Sequence, residues 1–318
     1  MAGADLMRRL ARGDVILFDG AMGTELERRG VPMDEAAWSA LALTSHPEVV
    51  RAIHRDYIEA GARIHLTHSF AAARHVLDLA GYGDRTVAFN RTAVALLKES
   101  LAAAEKEGPF WIGGSVSSYA KGSDRGNLPS ADRLRANLEE QVGLLREGGV
   151  DLFVLEMLYD VEVTRLAVAA AAATGLPVMI GFTCLWGEDG KSVETLSRAV
   201  AADRAPRLLE DVLRDIAAGL PDGTPAIIAI MHSEMDVTTA ALDAVKRVWN
   251  GPIAAYPNSG GYVSPHWQFD TVCAPEVFAE QAAAWVERGV QIVGGCCGIG
   301  PDHIRAAHDR LADRLTMP

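Results

Sequence analysis

The 318-residue sequence lacks the features that mark membrane and secreted proteins. It has no uninterrupted apolar run of about 18 residues, the length that a membrane-spanning helix requires. Its first fifteen residues, MAGADLMRRLARGDV, contain no apolar signal-peptide core and predict a short amphipathic helix. We therefore expect a cytoplasmic protein that has no membrane partner.

Positive charge is scarce. Against 42 Asp and Glu there are only 30 Lys and Arg, which gives a net charge of -12. An acidic surface repels phosphate backbones, so the composition excludes nucleic acid as a partner. The sequence also lacks a Walker loop and a Gly-x-Gly-x-x-Gly segment after a strand, the motifs that bind nucleotides.

Short apolar runs and helical segments alternate along the chain. The runs are apolar nearly throughout, as strands buried on both faces are. Eight such units predict a single (β/α)8 barrel, and the absence of a low-complexity linker predicts one domain over 1–318. The predicted strands are 15–19, 63–68, 110–115, 152–156, 177–184, 226–232, 252–258 and 290–297, and the clearest predicted helices are 46–61, 131–149, 161–175 and 275–289. The stretch 184–225 has room for an extra helix.

Two of the four cysteines are adjacent and follow the eighth run, in Gly294-Gly-Cys296-Cys297-Gly298. In such barrels the active site lies at the carboxyl ends of the strands. The flanking glycines let the backbone bend so that both sulfurs can face one point. Free cysteine also packs well as a small apolar residue, which is the alternative. Adjacent cysteines in a cytosolic chain nevertheless favour a metal site.

Thiolates suit Zn²⁺, and a catalytic zinc ion keeps one coordination position open for substrate. Two thiolates require a third protein ligand. His232, at the end of the sixth run, is the best placed, and Cys184, at the end of the fifth, is the alternative. Cys273 lies just before a predicted helix, and we expect it to be structural. The sequence thus predicts zinc ligands His232, Cys296 and Cys297.

The sequence resembles the homocysteine S-methyltransferase family over nearly its whole length. The matching segments are Asp19-Gly-Ala-Met-Gly-Thr-Glu25, Glu156 after the fourth run, Tyr256-Pro-Asn258-Ser-Gly260 and the double cysteine. The resemblance implies a zinc-dependent transfer of a methyl group to the thiol of homocysteine, which gives methionine. No cobalamin or folate module is expected at this length, which favours a free small-molecule methyl donor, a sulfonium or a quaternary ammonium compound, or a separate partner protein that delivers the methyl group.

The resemblance implies a substrate site as well. Residues matching Asp19, Gly20 and Glu156 hold the amino-acid end of homocysteine or neighbouring groups. Glu156 is the candidate for the ammonium group, with capping of the next helix as the alternative. The predicted substrate-binding residues are Asp19, Gly20, Glu156, Thr67, His68 and Asn258. Aromatic faces attract onium donors, but Trp38, Tyr159, Trp186 and Trp267 could equally serve packing.

The sequence departs from the family pattern at two positions. The family's first zinc cysteine usually follows strand six in a Gly-Val-Asn-Cys stretch, which here reads Ala229-Ile-Met-His232. Two thiolates and a neutral imidazole balance the charge of Zn²⁺, whereas three thiolates leave it negative. The usual Thr-Asn after strand two reads Thr67-His68, which either alters the donor pocket or exchanges one hydrogen-bonding group for another.

Other interpretations remain open at this stage. The same barrel could serve a metal-dependent hydrolase, although adjacent thiolates count against one. The chain could also act on another thiol or a selenol, or bind homocysteine and zinc without turnover. The sequence leaves the methyl donor open, together with the oligomeric state, a homo-oligomer included.

Overall fold

The computed structural model describes residues 2–106, 108–119, 129–195, 207–263 and 266–315. Eight parallel strands form one barrel-shaped sheet. In chain order they are β1 (Ile16–Leu17), β2 (Ile64–Leu66), β3 (Trp111–Ser117), β4 (Leu152–Leu158), β5 (Val178–Phe182), β6 (Ala226–Glu234), β7 (Ile253–Asn258) and β8 (Ile292–Val293). Each strand pairs with its neighbours in the order β1-β8-β7-β6-β5-β4-β3-β2.

Backbone hydrogen bonds bring the first strand against the second. Asp19 N donates to Ile64 O at 3.0 Å, and Arg63 N donates to Leu17 O at 2.8 Å. A parallel bridge also pairs Phe18 with Ile64. The prediction of a (β/α)8 barrel is therefore confirmed, while the domain limits 1–318 stay a prediction.

The helices surround this barrel. They are α1 (Ala2–Ala11), α2 (Gly23–Arg28), α3 (Ala42–Ser45), α4 (Pro47–Glu59), α5 (Arg74–Leu79), α6 (Thr86–Ala102), α7 (Ala131–Gly148), α8 (Val161–Ala172), α9 (Leu209–Ala218), α10 (Met235–Val248), α11 (Pro275–Glu287) and α12 (Pro301–Arg310). Short 3₁₀ turns occupy Gly83–Arg85 and Phe269–Thr271. None of the described helices combines the length and apolar character needed to cross a bilayer.

The apolar core has two layers, because successive residues of a strand point to opposite faces. In β4, Leu152 and Val154 point into the barrel, whereas Phe153 and Leu155 pack against the helices. Leu6 of α1 belongs to the inner layer and helps to close the amino end of the barrel. The opposite end, where the strands finish, is left for a cavity.

Two segments differ from the predicted pattern. The eighth run, predicted over 290–297, forms a strand only at Ile292–Val293, because the glycines and cysteines that follow turn out of the sheet. After β5 the chain forms an antiparallel hairpin, Cys184–Trp186 with Val193–Thr195, before α9. Part of the stretch 184–225, residues 196–206, lies outside the described residues, so the extra helix for which this stretch has room stays a prediction. A second hairpin pairs Gly261–Val263 with His266–Gln268.

Candidate active site

A cavity of about 420 Å³ lies at the carboxyl ends of the strands. It is the position at which barrel enzymes bind their substrates. Every residue that the sequence analysis selected for the site lines it: Asp19, Gly20, Thr67, His68, Glu156, His232, Asn258, Cys296 and Cys297. The structure therefore brings all the predicted site residues together, while their individual functions stay predictions.

The double cysteine is held by the end of β7. Cys296 N donates to Pro257 O at 2.7 Å, and Cys297 N donates to the Asn258 side chain at 3.1 Å. Gly298 follows with a φ of +84°, and a Cβ there would lie 1.9 Å from Ser259 O. Only glycine fits this position. The backbone turn that presents the sulfurs thus depends on one glycine and on the neighbouring strand.

His232 reaches the cavity through an irregularity in β6. Ile227, Ala229 and Met231 point into the barrel, so regular alternation would turn residue 232 toward the helices. The pairing of β6 with β7 shifts register between Met231 and Glu234, and His232 has a left-handed φ of +51°. Such bulges re-aim side chains at barrel ends. This one directs the imidazole toward the double cysteine.

The imidazole and the two sulfurs converge. His232 Nδ1 lies 3.3 Å from Cys296 Sγ, and the sulfurs of Cys296 and Cys297 lie 3.9 Å apart. In a tetrahedral zinc site with Zn–S bonds of about 2.3 Å and Zn–N bonds of about 2.0 Å, these edges would measure about 3.5 and 3.8 Å. Among the described residues, no group of three or more His, Cys, Asp and Glu is arranged so that it could hold a metal ion as it stands. The donor set and the two measured edges nevertheless fit zinc.

The surroundings of the Cys296 thiol favour its protonated form. The hydrogen bond to Cys297, together with burial, raises the pKa of Cys296 well above its ordinary value. A divalent cation reverses this preference, because a coordinated thiol loses its proton. Metal binding would therefore release a proton at this position.

Glu156 faces the same cluster from β4. Its Oε2 lies 3.2 Å from His232 Nε2, and its Oε1 accepts a hydrogen bond from Ser115 Oγ. The alternative that Glu156 caps the following helix is wrong. Asp160 caps α8, because its side chain accepts from Glu162 N at 2.9 Å and Val163 N at 3.1 Å.

Asp19, which also lines the cavity, is fixed by hydrogen bonds. Its carboxylate accepts from Leu66 N at 2.8 Å and lies 3.3 Å from the Tyr256 hydroxyl, which also donates to Gly20 O at 3.1 Å. Burial raises the pKa of Asp19 well above its usual value, and the negative charge of Glu156 adds to this effect. A cationic ligand between the two carboxylates would offset both the burial of the Asp19 charge and its repulsion by Glu156.

The pair after β2 forms part of the wall. Thr67 Oγ1 lies 2.8 Å from Ser69 Oγ and accepts from Ser115 N at 3.1 Å. His68 Nε2 lies 2.9 Å from Ser39 O, and burial lowers the pKa of His68 to about 4. His68 is therefore neutral at physiological pH and adds no charge to the cavity.

The other two cysteines do not line the cavity. Cys184 does not line the cavity and packs in the apolar layer outside the barrel, with its N–H donating to Ser233 Oγ at 2.8 Å. Cys273 precedes α11, and its N–H donates to Ser259 Oγ at 2.8 Å. These placements favour His232 over Cys184 as the third ligand.

Aromatic rings form the outer wall. Trp38, Phe70, Tyr119, Tyr262 and Trp267 line the cavity, whereas Tyr159 and Trp186 do not. No lysine or arginine is found among the described lining residues. The cavity therefore combines carboxylates with aromatic faces, a combination that favours cations.

Three further residues of the cavity were not predicted from the sequence: Ser115, Tyr256 and Phe70. Ser115 contacts Glu156, Tyr256 contacts Asp19, and the Phe70 ring lies 5.5 Å from the His232 ring. Tyr256 and Ser115 share a sequence signal, since each belongs to a strand and points inward near its carboxyl end. Phe70 follows β2 in a loop, where no periodic pattern identifies it.

Comparisons with known proteins agree with this arrangement. The sequence profile described as homocysteine S-methyltransferase matches residues 16–311. The chain is 31% identical to a homocysteine S-methyltransferase of Escherichia coli strain K12, over 95% of this chain and 96% of that protein. It is 27% identical to a selenocysteine Se-methyltransferase of Brassica oleracea var. italica, over 96% and 91% of the two chains.

A solved structure is similar throughout. The metallated form of the homocysteine methyltransferase MmuM from Escherichia coli gives a TM-score of 0.76 at 27% identity, covering 96% of this chain and 99% of that one. The family profile, the sequence relatives and the shared barrel lead to one conclusion. The chain belongs to the homocysteine S-methyltransferase family of enzymes.

Proposed function

We propose that the chain transfers a methyl group from a small sulfonium or quaternary ammonium donor to the thiol of homocysteine, giving methionine. We further propose that His232, Cys296 and Cys297 hold a Zn²⁺ ion. The observation that carries this proposal is the convergence of one imidazole and two sulfurs in a cavity lined by carboxylates and aromatic rings.

A bound zinc ion would lower the pKa of the acceptor thiol, whose free value is about 8.5, so that the thiolate is available at neutral pH. The protein's own residues supply position. Asn258 and Gly298 fix the turn that carries the cysteines, and the bulge in β6 fixes His232. Holding two reactants in line contributes up to about 7–11 kcal/mol in the best model reactions.

The acceptor's amino-acid end fits the side of the cavity between Asp19 and Glu156. Its ammonium group carries one positive charge and would offset part of the negative charge of these two buried carboxylates. Gly20, Thr67, His68 and Asn258 complete this proposed substrate site, and their placement in the same cavity supports the assignment.

The donor's class is inferred from the aromatic wall. Tyr262 lies 6.3 Å from Trp267, and Phe70 lies 5.3 Å from Tyr119, ring centre to ring centre. Aromatic faces stabilise a sulfonium or quaternary ammonium cation, and the described lining contains no lysine or arginine that would repel one. A cationic donor also loses its charge on transfer, which favours release of the product.

A donor screen tests the activity. Purified protein would be incubated with homocysteine and, in turn, S-methylmethionine, a dimethylsulfonio compound and betaine, with methionine measured by mass spectrometry. We expect methionine from at least one onium donor and its loss after chelation of the metal. Methionine formation that is unaffected by complete metal removal would contradict the zinc assignment, and none from any donor would contradict the activity.

A selenol is a second candidate acceptor, because one relative at 27% identity is a selenocysteine Se-methyltransferase. A selenolate is a soft ligand like a thiolate and fits the same open position. Competition between homocysteine and selenocysteine for one limiting donor separates the two. Preferential methylation of selenocysteine would reassign the acceptor and leave the metal site unchanged.

A further inference from the structure

Glu156 makes a contact that a substrate-binding carboxylate does not need. Its Oε2 lies 3.2 Å from Nε2 of His232, while Nδ1 of the same ring lies 3.3 Å from Cys296 Sγ. The two ring nitrogens therefore face different groups: Nε2 faces the carboxylate of Glu156, and Nδ1 faces the sulfur of Cys296. Only about 5% of the Glu156 side chain and 12% of the His232 side chain are exposed.

The carboxylate is itself anchored. Ser115 Oγ donates to Glu156 Oε1, and Ser115 N donates to Thr67 Oγ1 at 3.1 Å. Ser69 Oγ in turn donates to Ser115 O at 2.7 Å. A continuous set of hydrogen bonds thus runs from the end of β2 through β3 and β4 to His232 in β6.

The backbone is also irregular at both ends of the contact. Met157, directly after Glu156, has a φ of +57°, and His232 has a φ of +51°. Register shifts occur at the same places, between Leu155 and Leu158 and between Met231 and Glu234. Residues other than glycine rarely adopt a positive φ. Two non-glycine residues with a positive φ that face one cavity therefore indicate a function.

An ionised carboxylate has no proton to donate and can only accept hydrogen bonds. Contact with Glu156 therefore favours the imidazole tautomer that carries its proton on Nε2, which leaves the Nδ1 lone pair directed at the cysteines. Histidines that bind metal ions usually donate their second N–H to a carboxylate or carbonyl in this way.

We propose that Glu156 is a positioning residue for His232, and that the third metal ligand of this chain is a glutamate–histidine pair rather than a histidine alone. This inference rests on the proposed function, since it assumes that His232 binds the metal ion. Each carboxylate oxygen accepts more than one hydrogen bond, so Glu156 can hold His232 and still accept from a substrate ammonium group.

Zinc affinity provides the test, measured by competition with a chelator and without reference to turnover. The variants are Glu156→Ala and Glu156→Gln, each in the natural chain and in a His232→Cys background, where the third ligand no longer has a second nitrogen to orient. In the natural chain, Glu156→Ala should weaken zinc binding about 10–100-fold, the usual effect of removing such a partner. Glu156→Gln should weaken zinc binding less than Glu156→Ala does, because the amide oxygen can still accept a hydrogen bond from Nε2–H of His232.

In the His232→Cys background, the substitutions at Glu156 should change zinc affinity less than about 3-fold, because no imidazole remains to be held. Equal losses in the two backgrounds would overturn the proposal, since Glu156 would then act through charge or folding alone. No loss in the natural chain would overturn it as well. If His232→Ala itself leaves zinc affinity unchanged, the ligand set of the proposed function fails, which is a different result.

A second measurement covers the case in which Glu156→Ala does not fold. The ¹⁵N spectrum of the histidine rings, recorded for the metal-free natural chain and assigned by comparison with His232→Gln, should show His232 with its proton on Nε2. A proton on Nδ1 would overturn the proposal. Asp160→Ala is the matched control, because this carboxylate follows the same strand but caps α8 and should not alter zinc affinity.

Discussion

Cys184 and Cys296 are both buried cysteines just beyond the end of a barrel strand, yet their surroundings are opposite. Cys184 packs among apolar residues outside the barrel, and burial alone raises the pKa of its thiol. Cys296 lies beside a second sulfur and an imidazole at the edge of the cavity. Burial at a strand end is therefore not sufficient for a metal site, because the polar atoms of the neighbouring strands decide what a thiol can bind.

Substitution of each cysteine by alanine should separate them most clearly. Cys296→Ala removes a proposed ligand and should weaken zinc binding by at least about 10³-fold, with loss of methyl transfer. Cys184→Ala should cost about 1–2 kcal/mol of unfolding free energy and leave zinc affinity unchanged. Zinc titration and urea denaturation of both variants measure this. Loss of zinc from the Cys184 variant with its fold intact would contradict the comparison.

The turn that presents Cys296 depends on Gly298, whose added Cβ would meet a carbonyl oxygen. Gly298→Ala should destabilise the chain by about 2–5 kcal/mol through backbone strain and overpacking, and should weaken zinc binding. The control is Gly143→Ala within α7, where nothing lies near the new methyl group. That change should stabilise the protein by about 0.5–1 kcal/mol, because alanine favours a helix. Similar melting temperatures for both variants would contradict this account.

His54 extends the comparison to a buried group, since neither of its ring nitrogens has a hydrogen-bond partner among the described residues. Burial, reinforced by His65 and His68, lowers the pKa of His54 well below 6.5. The unfolded chain therefore takes up a proton at a higher pH than the folded chain. Stability tied to this residue is fully present above pH 6.5 and is lost as the pH falls below it.

The variant His54→Leu removes that dependence. The difference in unfolding free energy between the variant and the natural chain should move in favour of the variant by about 1.4 kcal/mol for each pH unit below 6.5. Denaturation at pH 7.5 and pH 5.5 measures it, and comparing two proteins cancels the titration of all other groups. A constant difference across this range would show that His54 has the same pKa in the folded and unfolded chains, which contradicts this account.

The comparison of Asp160 with Glu156, two carboxylates near the end of β4, gives the smallest expected effect. Asp160→Ala removes the cap of α8 and should cost about 1 kcal/mol of unfolding free energy, without effect on zinc binding or on the Michaelis constant for homocysteine. Thermal denaturation and steady-state kinetics measure this. A change in the homocysteine constant would show that Asp160, like Glu156, acts on the cavity.

The sequence predicted the barrel well, because strands buried on both faces are apolar throughout and helices between them are periodic. It also located the cavity residues, since polar residues at strand ends gather on one face of a barrel. The direction of the His232 side chain could not be predicted, because regular alternation in β6 points this residue toward the helices. Only the bulge turns it into the cavity. The contact between His232 and Glu156 could not be predicted from the sequence either, since it joins two strands, β6 and β4, that are not neighbours in the sheet.

X-ray absorption at the zinc edge tests the central claim most directly, because it counts the sulfur and nitrogen atoms bound to the ion. For the zinc-loaded chain we predict two sulfurs at about 2.3 Å and one imidazole nitrogen at about 2.0 Å, with a third sulfur after homocysteine is added. Three sulfurs before homocysteine is added, or an unchanged sulfur count afterwards, would contradict the account.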